Sequence, residues 1–131
     1  MNITRIEPDG APSIPHLISQ VVAPKDVDLV FCSGQVAWDA SLELVGDDLG
    51  AQTRQVAANI DVLLASLGVQ RSAIVKETLY IVDWEPSMLS VVFDNLRDGT
   101  SPVPASTLIG VAVLGIPGAL IEVDVVIAVP R

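Results

Sequence analysis

The C-terminal part of the chain, residues 102–129, is its most apolar stretch and still carries two carboxylates. This combination constrains the fold more than any other feature. The stretch predicts two strands, residues 107–114 and 119–129, joined by a turn at Pro117 and Gly118, whose backbone angles suit a reversal. We expect the rest of the chain to pack around these strands.

The second of these strands has two faces of different character, because side chains alternate along a strand. One face is β-branched throughout and is predicted to be core: Ile121, Val123, Val125, Ile127 and Val129. The other face is too apolar for open water and too charged for an ordinary core: Leu120, Glu122, Asp124, Val126 and Ala128. We expect another surface to cover this second face and leave Glu122 a functional role.

The remaining chain predicts two helices and further strands. Strands are expected at residues 3–6, 17–23, 28–36 and 74–82, with the second and third paired as a hairpin. One helix begins near Asp47 or Asp48 and ends at Gly68, residues typical of the two helix caps. A second helix starts at residues 85–87 and stops at Gly99.

This order of elements predicts an α+β fold, a mixed β-sheet with two helices on one face. The 131 residues form a single domain spanning residues 1–131. Since the strands carry apolar residues on both faces, the face without helices is expected to be covered by other copies of the chain.

Composition excludes several classes of partner. A net charge of −9, from 7 basic and 16 acidic residues, repels phosphate backbones, so nucleic acid is not an expected partner. No apolar run reaches the ~20 residues of a membrane span, and the N-terminus has no signal-peptide pattern. We expect a cytoplasmic protein without a membrane partner. With only Cys32 and His16 as soft ligands, no metal and no cofactor are indicated.

Five sequence blocks resemble the RidA/YjgF family of small imine and enamine deaminases. They are Phe31-Cys-Ser-Gly-Gln, Ala51-Gln-Thr-Arg-Gln, Val75-Lys-Glu-Thr-Leu-Tyr, Pro104-Ala-Ser-Thr and Pro117-Gly-Ala-Leu-Ile-Glu-Val-Asp. The resemblance extends over about residues 18–129. It implies a chorismate-mutase-like fold and a homotrimer that binds a small-molecule ligand in the three clefts between subunits.

The resemblance also implies site residues. Glu122 matches the catalytic glutamate that positions or protonates the hydrolytic water, and Ser33 and Gly34 match strand-end residues that line the cleft. Ser106 falls where active deaminases have an arginine that holds the carboxylate of a 2-imino acid. Two more substrate-binding positions are changed: Ile18 stands for a common tyrosine, and Leu108 for a small or sulfur-bearing residue.

The serine predicts an altered substrate. An arginine–carboxylate contact is worth ~1.5–3 kcal/mol, and a serine reproduces neither its charge nor its geometry. Ser106→Arg is then expected to place a guanidinium beside Glu122. Arg97 or Arg131 could replace the lost cation, although the simplest interpretation makes both of them solvated charges.

Two functions remain open. The first is a hydrolytic deaminase of small imines or enamines that lack the usual carboxylate, with Glu122 handling water. The second is a non-catalytic trimeric protein that binds a small molecule in the same cleft. A pericyclic mutase reaction on a dianionic substrate would require cations that the sequence does not show.

Overall fold

The computed structural model describes residues 1–131 and has six strands and two α-helices, in the order of three strands, a helix, a strand, a helix and two strands. The strands are β1 Asn2–Ile6, β2 Val21–Lys25, β3 Val27–Phe31, β4 Ile74–Val82, β5 Ala105–Val111 and β6 Ile121–Pro130. The helices are α1 Leu49–Ser66 and α2 Leu89–Leu96, with single 3₁₀ turns at Arg71–Ala73 and Pro86–Met88.

The main sheet has the strand order β3-β6-β4-β5. Strand β6 runs antiparallel to both of its neighbours, whereas β4 and β5 are parallel. Parallel neighbours need a long crossover, and helix α2 supplies it between β4 and β5. Side chains of α1 and α2 share one hydrophobic core with β4 and β6, so both helices cover the same face. The predicted α+β architecture is confirmed.

Strand β6 shows the predicted alternation from Ile121 to Ile127, whereas Ala128, predicted on the opposite face, is also fully buried. Its core face is almost completely buried, with exposures of 0–2% at Ile121, Val123, Val125 and Ile127. The register aligns the opposite face of β6 with residues of its neighbours. We call this helix-free surface the open face; its residues are Leu29, Phe31, Tyr80, Ile109, Glu122, Asp124, Val126 and Ala128.

The predicted hairpin between residues 17–23 and 28–36 is wrong. Strand β2 pairs with β1 in a separate two-stranded sheet, and β3 pairs with β6. Only Asp26, at φ +56°, separates β2 from β3, and a hairpin needs a loop of at least two residues. The two C-terminal strands, β5 and β6, are not neighbours either, because β4 lies between them.

Helix α1 has the predicted ends. The Asp48 side chain caps its first turn by accepting a 2.8 Å hydrogen bond from the Ala51 amide. Gly68, at φ +70°, follows the last turn in the left-handed conformation that glycine adopts without strain. Helix α2 is shorter than predicted, since Pro86–Met88 forms a 3₁₀ turn before it.

Asp48→Ala should lower the free energy of unfolding by ~0.5–2 kcal/mol, because an N-terminal amide of α1 loses its side-chain acceptor. Asp47→Ala is the matched control, since Asp47 is exposed and does not cap the helix. Urea unfolding of both variants checks the prediction. Equal losses would show that general charge, and not the cap, sets the effect.

Gln52 of α1 anchors the loop that leads into β6. Its side chain is 1% exposed and donates to the carbonyls of Gly46 and Gly118, at 3.2 and 3.0 Å. It also accepts from the Leu120 amide at 2.8 Å. These bonds fix the entry into β6 two residues before Glu122.

Candidate functional site

Glu122 lies on the open face, beside the segment that follows β3. Gln35 and Val123 exchange two backbone hydrogen bonds, at 2.7 and 3.0 Å, so this segment runs along β6. A Cβ atom on Gly34 would stand 2.8 Å from Glu122 Oε2, closer than real Cβ atoms come. Only glycine therefore lets the Glu122 carboxylate lie against this backbone. Ser33 is the residue directly before Gly34.

The surroundings of Glu122 are acidic. The chain has three salt bridges, and none involves Glu122. Tyr80 lies opposite Glu122 on β4, and its hydroxyl donates to Asp124 Oδ2 at 3.4 Å. The Asp124 carboxylate raises the pKa of Tyr80, with smaller contributions from burial and from Glu122. The phenol therefore keeps its proton at neutral pH and remains a hydrogen-bond donor.

Ser106 lies on the other side of the sheet. It is aligned with Glu77 of β4, and its hydroxyl donates a 2.6 Å hydrogen bond to Glu77 Oε2. The Glu77 side chain is 2% exposed and shares the buried face of β4 with Leu79 and Ile81. A buried carboxylate needs a partner of opposite charge.

Arg97 supplies that charge from the end of α2. Its Nη1 donates to Glu77 Oε1 at 2.8 Å, and its Nη2 donates to Glu77 Oε2 at 2.5 Å. The prediction that Arg97 is solvated is wrong: its side chain is only 13% exposed. Arg131 does remain a surface charge, since it pairs with Asp28 while both side chains are more than half exposed.

The loop before β2 also contacts the Arg97 guanidinium. Arg97 Nε and Nη2 donate to the Leu17 carbonyl at 3.0 and 2.6 Å. Two residues on, the amide of Ser19 donates to the Pro104 carbonyl at 2.9 Å. Half-buried Ile18 is thereby held near Pro104, which directly precedes β5 and lies two residues before Ser106.

The predicted site residues thus fall into two groups on opposite sides of the sheet. Gly34 and Glu122 meet at the open face, and Ser33 precedes Gly34 in the chain. Ser106 lies on the helix side, where the segment around Ile18 bonds to Arg97 and to the Pro104 carbonyl. Leu108 is on the helix side too, aligned with Leu79 and packed against the core.

Ser106 and Glu122 therefore do not lie together within one chain. The strand register aligns Ser106 with Glu77, whereas Glu122 is aligned with Tyr80, and Glu77 and Tyr80 point to opposite faces of β4. Within one protomer, Ser106→Arg would place its guanidinium near Glu77 and Arg97 instead of Glu122.

The sequence analysis did not predict the ion pair of Glu77 and Arg97. One signal was available: the period of two in β4 places Glu77 on the same face as Leu79 and Ile81. A carboxylate on a core face implies a buried cation. Which arginine supplies it depends on the path of the chain after α2.

Two further classes of site can be described briefly. No group of three or more histidine, cysteine, aspartate or glutamate side chains is placed to hold a metal ion. None of the helices combines the length and the apolar character that a membrane span needs.

Residues 11–129 match the sequence model of a family described as Endoribonuclease L-PSP. Protein DfrA from Myxococcus xanthus is 30% identical over 124 residues, which cover 92% of each chain. A RutC family protein from Aquifex aeolicus is 29% identical over 98 residues, covering 74% of this chain and 78% of the relative.

Solved structures share the fold. The conserved Rid family protein YyfB from Yersinia pestis, described as of unknown function, superposes with a TM-score of 0.92 at 33% identity. That match covers 98% of this chain and 100% of YyfB. RidA from an Antarctic Psychrobacter superposes with a TM-score of 0.65 at 27% identity, over 96% of this chain and 99% of RidA.

Proposed function

This chain belongs to the RidA/YjgF family, whose sequence model is described as endoribonuclease L-PSP, and we propose that it is a hydrolytic deaminase of small imines or enamines. The single observation that carries the proposal is the contact of the Glu122 carboxylate with the Gly34 backbone on the open face. The Glu122 carboxylate belongs to no salt bridge of the chain, and Tyr80, whose phenol keeps its proton at neutral pH, lies opposite it on β4.

We propose further that the site is completed in a homotrimer, in the clefts between subunits. The open face exposes 76% of Phe31, 49% of Leu29 and 40% of Ile109, and a large apolar patch of this kind is typical of an interaction surface. Ser106 and Glu122 face opposite sides of one chain, so a ring of copies offers a way to bring them to one cleft.

In the proposed reaction Glu122 moves protons between water and nitrogen. The carboxylate accepts a proton from water as the water oxygen bonds to the imine carbon, and it returns that proton to the imine nitrogen. The resulting carbinolamine then breaks down: its hydroxyl proton passes through Glu122 to the nitrogen, and the carbon–nitrogen bond breaks. The products are ammonia and a carbonyl compound. Positioned proton transfer of this type contributes ~10²–10⁴-fold in rate.

Glu122→Gln should reduce ammonia release by ~10²–10⁴-fold, because the amide cannot accept and return a proton. The assay measures ammonia from a panel of neutral and acidic imines generated in place. Glu43→Gln is the matched control, since Glu43 is an exposed glutamate outside the site and its loss changes the net charge equally. If folded Glu122→Gln keeps the original rate, Glu122 is not the proton-transfer group.

A non-catalytic trimeric binding protein is the second candidate, and one observation favours it. Arg97 is neutralised by Glu77, and Ser106 carries no charge, so neither residue offers a free cation to the carboxylate of a 2-imino acid. Binding of small ligands without ammonia release from any imine would select this function. Ribonuclease activity fits poorly with the net charge of −9.

A further inference from the structure

We propose that Glu77 determines the ligand class of the subsite around Ser106. By neutralising Arg97 and holding the Ser106 proton, Glu77 makes this subsite uncharged, so that it accepts a neutral ligand carrying an N–H or O–H donor and excludes small carboxylates. The inference deepens the proposed function, since it concerns the same cleft, but it depends on binding and not on turnover.

Glu77 uses most of its hydrogen-bonding capacity on Arg97 and Ser106, and only one acceptor site, on Oε1, remains. Its Oε1 accepts from Arg97, and its Oε2 accepts from both Arg97 and Ser106, at 2.5 and 2.6 Å. The side chain is 2% exposed, so solvent screens its charge little. Its full charge therefore acts on Arg97.

Arg97 is enclosed in turn. A guanidinium has five N–H donors, and here Nε donates to Leu17, Nη1 to Glu77, and Nη2 to both. One donor on Nη1 remains, and the ring of Phe93 lies 5.0 Å from the guanidinium carbon. A ligand carboxylate would therefore meet a cation that is already paired and almost fully hydrogen-bonded.

Ser106 offers a ligand a hydrogen-bond acceptor, whereas Arg97 has only donors. Because its proton goes to Glu77 Oε2, its oxygen is left as an acceptor. Half-buried Leu108 follows it on the same face of β5, and half-buried Ile18 lies in the segment that bonds to Pro104, two residues before Ser106. An uncharged acceptor among apolar side chains favours the N–H of an imine, enamine or amide over a carboxylate.

Removing the Glu77 charge should leave the positive charge of Arg97 without its counter-ion and able to attract a ligand carboxylate. A glutamine of the same shape can accept from Arg97 and Ser106 only through its one carbonyl oxygen, because its NH2 group is a donor, and it cannot neutralise the guanidinium. A cavity of about 30 Å³, lined by Glu77, Arg97 and Pro104, adjoins the pair and gives these side chains room to adjust. Charge-assisted hydrogen bonds to an anion are about twice as strong as neutral ones.

The test titrates the full-length protein with 2-ketobutyrate and with its neutral amide, using isothermal titration calorimetry. Unmodified protein should bind the amide more tightly than the acid. Glu77→Gln should bind the acid at least about tenfold more tightly than unmodified protein does, with little change for the amide.

Three further variants make the result decisive. Glu43→Gln changes the net charge equally at an exposed position and should leave both affinities unchanged. The double variant Glu77→Gln/Arg97→Gln should lose the gain, because no guanidinium remains. Glu77→Ser replaces Glu77→Gln if circular dichroism shows that the glutamine variant does not fold.

The proposal is overturned if the folded Glu77 variant gains no affinity for the acid, if the double variant keeps the gain, or if unmodified protein already binds the acid as tightly. Loss of the proposed deaminase function is a separate outcome. If no imine releases ammonia but Glu77→Gln gains acid binding through Arg97, the deaminase proposal fails and this inference stands.

Discussion

Phe31→Asp should abolish assembly of the proposed trimer without unfolding the chain. Phe31 is 76% exposed in a single protomer, so the charge costs the isolated fold little. In an assembled protein the open face would be covered, and a buried carboxylate without a partner costs several kcal/mol. Phe31 also lies on the edge strand β3, aligned with Val126 at the middle of the open face.

Light scattering after size-exclusion chromatography measures the mass of each variant. Val62→Asp is the matched control, because Val62 is 68% exposed on helix α1, away from the open face. It should keep the mass of the unmodified protein. A stable monomer before any substitution, or a trimeric mass for Phe31→Asp, would contradict the assignment of the open face as the interface.

Arg97→Met should lower the free energy of unfolding by ~3–5 kcal/mol, because it strands the buried Glu77 carboxylate. That loss is a large share of the ~5–15 kcal/mol that stabilises a typical domain. Urea unfolding of the variant and of the unmodified protein measures the loss.

Arg131→Met is the control for this prediction. It breaks the Arg131–Asp28 pair, whose side chains are 70% and 62% exposed, and exposed pairs contribute ~0–1 kcal/mol. The double variant Arg97→Met/Glu77→Met should recover much of the loss, because apolar replacement of a buried pair is often close to neutral. If Arg97→Met and Arg131→Met lower the free energy of unfolding equally, burial of the Glu77–Arg97 pair does not make its loss more destabilising.

The sequence by itself determined those features that depend on neighbours along the chain. The bounds of β4 were predicted residue for residue. The ends of α1 were predicted near Asp47 or Asp48 and at Gly68, and the structure caps the helix with Asp48. The buried face of β6 followed from its alternation. Side-chain period, capping and β-branched content are local properties, so they can be recognised without knowing what packs against an element.

Only the tertiary structure decided which elements meet. Strand β6 lies between β3 and β4, and β2 pairs away from β3, because strand partners are chosen by long-range packing and not by adjacency in sequence. The same packing directs Arg97 to Glu77 across 20 residues and places Ser106 and Glu122 on opposite faces. A shift of one residue in strand register moves a side chain from one face of the sheet to the other. That register is set by contacts between distant segments.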